Sequence, residues 1–482
     1  MVMLHTRLLL LSFVALASAF ALTPRQHLVL QHGAPAPAPL LRASAQHQRA
    51  PHRLRTTTSL TAAAAQPPAG VSVTAAIINL SKNIVGSGVL ALAAGVAAFS
   101  SSKVALLPAF AILLPTGIVS AYTFSSIARV GAAVGGNSYR DTWAKVFGEK
   151  TAILPDVTVI FMTMAAAICY SIIVGDSFAS IAKLVGAPAL LTTPNAWIVL
   201  LSAFVLLPLS LLRDLSKLAI GSVIGTAGTL YTALFMFLRL LDGSYAPGGK
   251  YFAAISAAAQ PAFAAHTVAR PLLNTGMFVL LSMLASAYLA HYNAPKFYED
   301  LQPPADGSSK LPRFNTVCLA GFGGAAALMG SIMAFGFLTF GGASQGLILN
   351  NYATADPLAG LARLGIALSI IFSYPLNMTG LREGILAMFG QKAAGAKATV
   401  HVLLTLALVL ILNGSSLFIK DLGLIVGLGG AILGSALVYI FPALMAIGET
   451  KGAMSPMEKK VNWGLTGLGV FFAILGAVMC LK

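Results

Sequence analysis

The sequence predicts an all-α polytopic membrane protein with eleven transmembrane helices, and three observations support this fold class. Of its 482 residues, 57% are hydrophobic and only 9% are charged, whereas soluble domains have about 25% charged residues. Eleven apolar segments are long enough to cross a bilayer as helices. Distinctive features of the first half also recur near 200 residues later in the chain. A soluble core does not explain this composition.

The apolar segments are separated by loops that hold most of the charged residues downstream of residue 70. The predicted spans cover 72–98, 104–128, 153–182, 195–212, 215–241, 271–292, 314–340, 359–381, 398–418, 421–448 and 462–481. When the first span begins on the cytosolic or stromal side, the loops on that side carry nearly twice as many Lys and Arg as the opposite loops. This bias agrees with the positive-inside rule.

Features that recur in the second half indicate two structural repeats, 72–241 and 271–448, followed by an extra helix at 462–481. The recurring pairs are Gly86 and Tyr288, Tyr170 and Ser373, and the sequences GSVIGTAG from residue 221 and GLGGAILG from residue 427. Five helices in each repeat would invert the second half relative to the first. Inverted repeats with broken helices are typical of secondary transporters whose site lies near the bilayer midplane.

The N-terminal segment 1–70 differs from the rest of the chain because it contains Arg but no Asp or Glu. An Arg, an apolar run and small residues before Phe20 are typical of a signal peptide over 1–19. The stretch 20–70 cannot bury a core and indicates a transit peptide. Together they resemble the bipartite plastid presequences of algae, which predicts a plastid membrane for the mature domain, 71–482. A signal peptide and a disordered tail, with an endomembrane or plasma-membrane location, is the alternative.

Several sequence blocks, in order along the chain, resemble the amino acid/auxin permease family, close to its vacuolar and system A/N-like branches. The matching blocks are NLSKNIVGSGVLALA at 79, YSIIVGDSF at 170, LRDLSKLAIGSVIGTAG at 212, AYLAHYNAPKFYEDL at 287, FGFLTFG at 335, FSYPLNMTGLREGI at 372 and DLGLIVGLGGAILGSALVYIFPALMAIGET at 421. The resemblance implies a LeuT-type fold of five plus five inverted helices, with helices 1 and 6 broken. It also implies transport of amino acids coupled to protons or sodium.

The first span contains Gly86-Ser87-Gly88, which interrupts a membrane-length apolar helix. Backbone groups released in the bilayer core must be satisfied by protein, an ion or a ligand. Free N–H groups at the start of a half-helix favour an anion such as the carboxylate of an amino acid. We therefore predict a substrate site at these three residues. Close helix packing through small residues is the alternative.

The sixth span is predicted to supply the second break, around Ala287 and Tyr288. Carbonyl groups freed there would turn toward the substrate ammonium, and Tyr288 would line the pocket together with Tyr170 of the third span. His291 is a candidate for proton relay or gating. The alternatives are an interfacial tyrosine and a helix-end histidine bonded to backbone.

Lys82 departs from the family pattern in a way that affects the coupling ion. Sodium-coupled relatives often carry Asn at this position, and an ammonium has no acceptor to offer sodium. Charges inside a membrane are costly and usually functional. We therefore predict coupling to a proton, with sodium as a second possibility. A lysine that snorkels to the interface is the alternative.

Two further polar residues belong to the predicted coupling region. Ser373, just before Pro375 in the eighth span, corresponds to a hydroxyl that helps to hold sodium in sodium-coupled family members. Here it would accept from Lys82, bind a cation or satisfy a carbonyl freed by the proline kink. Asn83 would offer an amide to the same region. The sequence does not fix which way its side chain faces, because a step of one residue turns it about 100° from that of Lys82.

Other function classes receive little support from the sequence. The chain has no HExxH or GxxxxGK[ST] motif, and its three Cys lie far apart. No enzyme activity, metal site, cofactor or nucleic-acid binding is predicted. The expected partners are an amino acid, as a small-molecule substrate, and the lipid bilayer, and a monomer is expected. An amino-acid sensor that keeps the fold without net transport is the alternative function.

Overall fold

Long apolar helices make up most of the structure, a computed structural model that describes residues 70–213, 219–264, 274–391, 397–449 and 454–482. The predicted signal peptide, and all but residue 70 of the predicted transit peptide, lie outside these ranges. The first span is a bent pair of helices, Val73–Ile84 and Ser87–Ala97, which meet at 51°. The other spans are Lys103–Val134, Glu149–Leu184, Pro194–Leu211, Val223–Leu241, Met277–Asp300, Leu311–Phe340, Pro357–Met388, Ala398–Phe418, Leu422–Gly448 and Pro456–Cys480. The prediction of eleven spans is confirmed.

Side-chain caps fix where several spans begin. Ser72, Asp356, Asp421 and Ser455 each accept a hydrogen bond from a backbone N–H in the first turn of the helix that follows. Such caps satisfy donors that have no partner within the helix. The second span ends at Gly135, whose φ of 72° is the left-handed conformation that glycine adopts readily.

The spans pack in two groups. The seventh span packs on the first and second, and the sixth packs on the second half of the first, which forms one bundle. The third and eighth spans pack along each other, with the fourth and ninth beside them. The fifth span packs on the eighth, and the tenth packs on the third. These matched contacts are those expected of two related, inverted halves.

Glycines in the tenth span bring it very close to the sixth. A Cβ added at Gly430 would lie 1.8 Å from the carbonyl oxygen of Ser282, and one at Gly434 would lie 3.0 Å from the carbonyl carbon of Ala285. Only a hydrogen fits at Gly430. Ser286 also donates to the carbonyl of Val426, at 2.8 Å. The first helix of the sixth span is therefore held against the tenth span, and this fixes the position of its break.

Candidate functional site

The first span breaks at the predicted position. Its first helix ends at Ile84, Gly86 is extended with φ −102° and ψ −162°, and a 3-10 turn begins at Ser87. Among the described residues, no acceptor is bonded to the backbone N–H of Ser87 or Gly88. These donors lie at the start of the second half of the span, where a carboxylate is favoured.

The sixth span also breaks, and its break meets the first one. A helix over Met277–Ala287 is followed by a 3-10 turn, His291–Asn293, and a short helix, Ala294–Asp300. A Cβ added at Gly88 would lie 3.6 Å from the Cα of Ala287, an ordinary van der Waals contact. The structure therefore brings Gly88 and Ala287 together, although they are far apart in sequence.

An exposed polar strip leads to the first break from the N-terminal side of the bundle. Asn79 and Asn83 are exposed one turn apart on the first helix, and Gly86, which is also exposed, follows in the extended segment after that helix. A Cβ added at Gly86 would have no atom within 4 Å, so open space lies beside the break. The lower part of the strip lines a cavity of about 250 Å³.

Two tyrosines lie near each other beside the breaks. Tyr292 of the sixth span is 37% exposed. Tyr170 of the third span is partly exposed and close enough to Tyr292 for their hydroxyls to interact electrostatically. Tyr170 was singled out from the sequence, whereas Tyr292 was not.

Tyr288 and His291 lie on the opposite side of the sixth-span break, packed against the second span. Both side chains are fully buried. The Tyr288 hydroxyl donates to the carbonyl of Leu113 at 3.1 Å. The Nε2 atom of His291 lies 3.2 Å from the carbonyl oxygen of Ser120 and 3.0 Å from the hydroxyl of Thr123. In this structure neither side chain offers surface to a substrate, and both tie the break to the second span.

The predicted coupling residues are not all in contact. Lys82 is partly exposed in the last turn of the first helix, about 14 Å along the axis from Val73. It forms no hydrogen bond or ion pair with the described residues, while the helix C-terminus favours its positive charge. Asn83 accepts from the amide of Asn293 at 3.2 Å. Ser373 donates to the carbonyl of Ser369 in its own helix, at 2.8 Å.

On the side opposite the cavity, the loop between the seventh and eighth spans is bonded to neighbouring spans. Asn350 in this loop donates to Asp176 of the third span at 2.8 Å. Arg363 of the eighth span is 2% exposed and donates to the carbonyls of Leu349 and Tyr352, at 2.8 and 2.7 Å. The loop is thereby bound to both the third and the eighth spans.

Some of these residues were missed by the sequence reasoning, although two had a detectable signal. Asn79 stands one turn before Asn83 in an apolar helix, and this spacing marks a polar face. Arg363 is a charge inside an apolar span, which by itself indicates a structural or functional role. Tyr292 follows the break directly, but nothing in its sequence context shows that it lies near Tyr170.

The meeting of two helix breaks inside an inverted repeat is the arrangement of a LeuT-type transporter fold. The solved structure described as the inward-facing conformation of Mhp1 has this fold and is similar to the chain, with a TM-score of 0.51 and 14% identity. The match covers 87% of this chain and 91% of that one. The predicted fold class is confirmed.

Sequence comparisons identify the family. The profile described as "Transmembrane amino acid transporter protein" matches residues 69–481, and the chain belongs to this family. The human sodium-coupled neutral amino acid transporter 7 is 25% identical over 70% of this chain and 72% of its own length. The Arabidopsis thaliana amino acid transporter AVT6E is 21% identical over 85% and 83%. The predicted family is confirmed, and since its members are transporters, so is the prediction that the protein is not an enzyme.

Proposed function

We propose that this protein is a secondary active transporter that moves an amino acid across a membrane by alternating access, coupled to protons rather than to sodium. The observation that carries the proposal is the meeting of the two breaks. The free N–H groups of Ser87 and Gly88 would hold the substrate carboxylate. The carbonyl groups released around Ala287 would hold its ammonium, and the side chain would lie toward Tyr170 and Tyr292.

Proton coupling rests on Lys82. This ammonium has no partner among the described residues and lies in the last turn before the first break. A fixed or titrating positive charge at this point would repel sodium and take over its role. Tyr288 and His291 act in gating under this proposal, because their bonds to the second span hold the sixth-span break in place.

Uptake into liposomes that contain the purified protein tests the proposed function. We expect uptake of at least one amino acid from a panel under an imposed proton gradient, without a requirement for sodium. Uptake that requires sodium and ignores pH would contradict proton coupling. Binding without flux would support the alternative, an amino-acid sensor.

A matched pair of glycine substitutions tests the site itself. Gly86→Val fills the open space beside the break without a clash, and we expect uptake to fall roughly tenfold or more because the substrate loses that space. Gly467→Val is the control, since Gly467 is exposed on the eleventh span and also has no atom within 4 Å of an added Cβ. Equal uptake by the two variants would contradict this site.

We also propose that the transporter lies in a plastid membrane. The acid-free segment 1–70 supports delivery to a plastid membrane, and we expect a fluorescent fusion of this segment to enter plastids. Secretion of the fusion, or its retention in an endomembrane, would contradict a transit function for 20–70. We further propose that the transporter works as a monomer, since each chain contains both breaks and both repeats.

A further inference from the structure

The cavity on the N-terminal side lies between two half-helices. These are Val73–Ile84, the first half of the first span, and Ala294–Asp300, the last part of the sixth span. The cavity volume is about 250 Å³, smaller than that of a drug-sized pocket and suited to a single small molecule. Its polar lining consists of Asn79, Asn83, Asn293, Lys296 and Asp300. The backbone of Val71 is bonded to that of Asp300 at 2.8 Å, which joins the ends of the two half-helices at the rim.

Lys296 and Asp300 carry opposite charges that are not used elsewhere in the described structure. They lie at i and i+4 of the helix Ala294–Asp300 and are both exposed. Neither forms an ion pair with a described residue. The order with Lys first is the weaker one for an intrahelical pair. Lys near the start and Asp at the end also oppose the helix dipole. These two charges therefore do not stabilise the helix on which they lie.

The amides of the cavity have unused hydrogen-bonding groups. Asn293 donates to the oxygen of Asn83 at 3.2 Å, which leaves the amide nitrogen of Asn83 and the oxygen of Asn293 available. Asn79 has no hydrogen-bond partner among the described residues. Donors and acceptors therefore line the same cavity as the two opposite charges.

We propose that this cavity is a second binding site, at which a zwitterionic α-amino acid pauses between the helix breaks and the compartment on the N-terminal side. Lys296 binds the carboxylate of the amino acid and Asp300 binds its ammonium. The asparagine amides form the remaining hydrogen bonds to these two groups. The exposed strip of Asn79, Asn83 and Gly86 connects this site to the first break. The inference rests on the proposed transport function and assigns an additional, peripheral site to it.

Transport measured from each side of oriented liposomes tests the second site. We expect Lys296→Gln and Asp300→Asn each to raise the half-saturating amino-acid concentration on the N-terminal side roughly fivefold or more, because each removes one charge-assisted contact. Half-saturation from the opposite side should stay at the wild-type value, which also shows that the variants are folded. Glu299→Gln is the control, since Glu299 is exposed on the same helix but does not line the cavity.

The outcomes separate this inference from the proposed function. Wild-type half-saturation from the N-terminal side in both variants would overturn the second site while transport itself stands. Equal changes from both sides, or an equal change in Glu299→Gln, would also overturn it. If the wild-type protein moves no amino acid of the panel, the proposed function fails first, and the second site fails with it.

Discussion

Replacement of Asp356 by Asn is expected to lower the free energy of unfolding by about 3 kcal/mol, as removal of one partner from a buried ion pair does. Asp356 is fully buried and accepts from Arg239 at 2.7 Å and from the hydroxyl of Tyr245 at 2.9 Å. Asn keeps the size of the side chain and its ability to cap the eighth span. The substitution therefore removes mainly the charge that compensates Arg239, whose side chain is only 13% exposed.

Asp242→Asn is the matched control because Asp242 pairs with the same Arg239 at the same distance, 2.7 Å, but is 40% exposed. We expect it to cost less than about 1 kcal/mol, as exposed ion pairs do. Detergent-based unfolding titrations of the two variants and the wild type measure the difference. Equal losses in both variants would show that burial of Asp356 does not determine the strength of this contact.

The spans and the first break were predictable from sequence because they depend on local patterns. A membrane-length apolar run specifies a span, and Gly86-Ser87-Gly88 removes the side-chain packing that keeps a helix regular. The bounds of the tenth span, predicted as 421–448, agree with Leu422–Gly448 in the structure. The proximity of Gly88 and Ala287 could be expected only from the inverted repeat, because neither residue's local sequence indicates it.

The direction in which each side chain points was harder to predict from the sequence. Tyr288 was expected in the pocket, and the structure instead bonds its hydroxyl to the carbonyl of Leu113, 175 residues away. The proposed bond between Lys82 and Ser373 is not formed in the structure, where Ser373 donates within its own helix. A step of one residue turns a side chain by about 100°, so contacts between distant spans decide its direction. The pairing of Arg239 with Asp356 likewise depends on how the fifth and eighth spans pack.

Two sets of hydrogen bonds, at the loop between the seventh and eighth spans and at the N-terminal cavity, bear on the proposed transport cycle. Arg363 and the pair of Asn350 with Asp176 hold the loop between the seventh and eighth spans in place. Alternating access would require these bonds to break while the N-terminal cavity closes around Asn83 and Asn293.

Replacement of Lys82 by Asn is expected to reduce uptake driven by a proton gradient roughly tenfold or more, because it removes the charge proposed to replace sodium. Asn offers an oxygen that can bind a cation, so residual uptake should become sensitive to sodium. Lys460→Asn is the control, since Lys460 is exposed at the start of the eleventh span. Uptake is measured in liposomes under separate proton and sodium gradients.

Lys82→Arg separates a permanent charge from one that titrates during transport. Arg keeps the positive charge but does not release its proton in proteins. If Lys82 is a fixed substitute for sodium, Arg should preserve proton-driven uptake within about twofold, since the charge is unchanged. If Lys82 carries the transported proton, Arg should abolish the response to pH while uptake stays independent of sodium. Wild-type pH dependence in Lys82→Asn would contradict both roles, because neither survives without the ammonium.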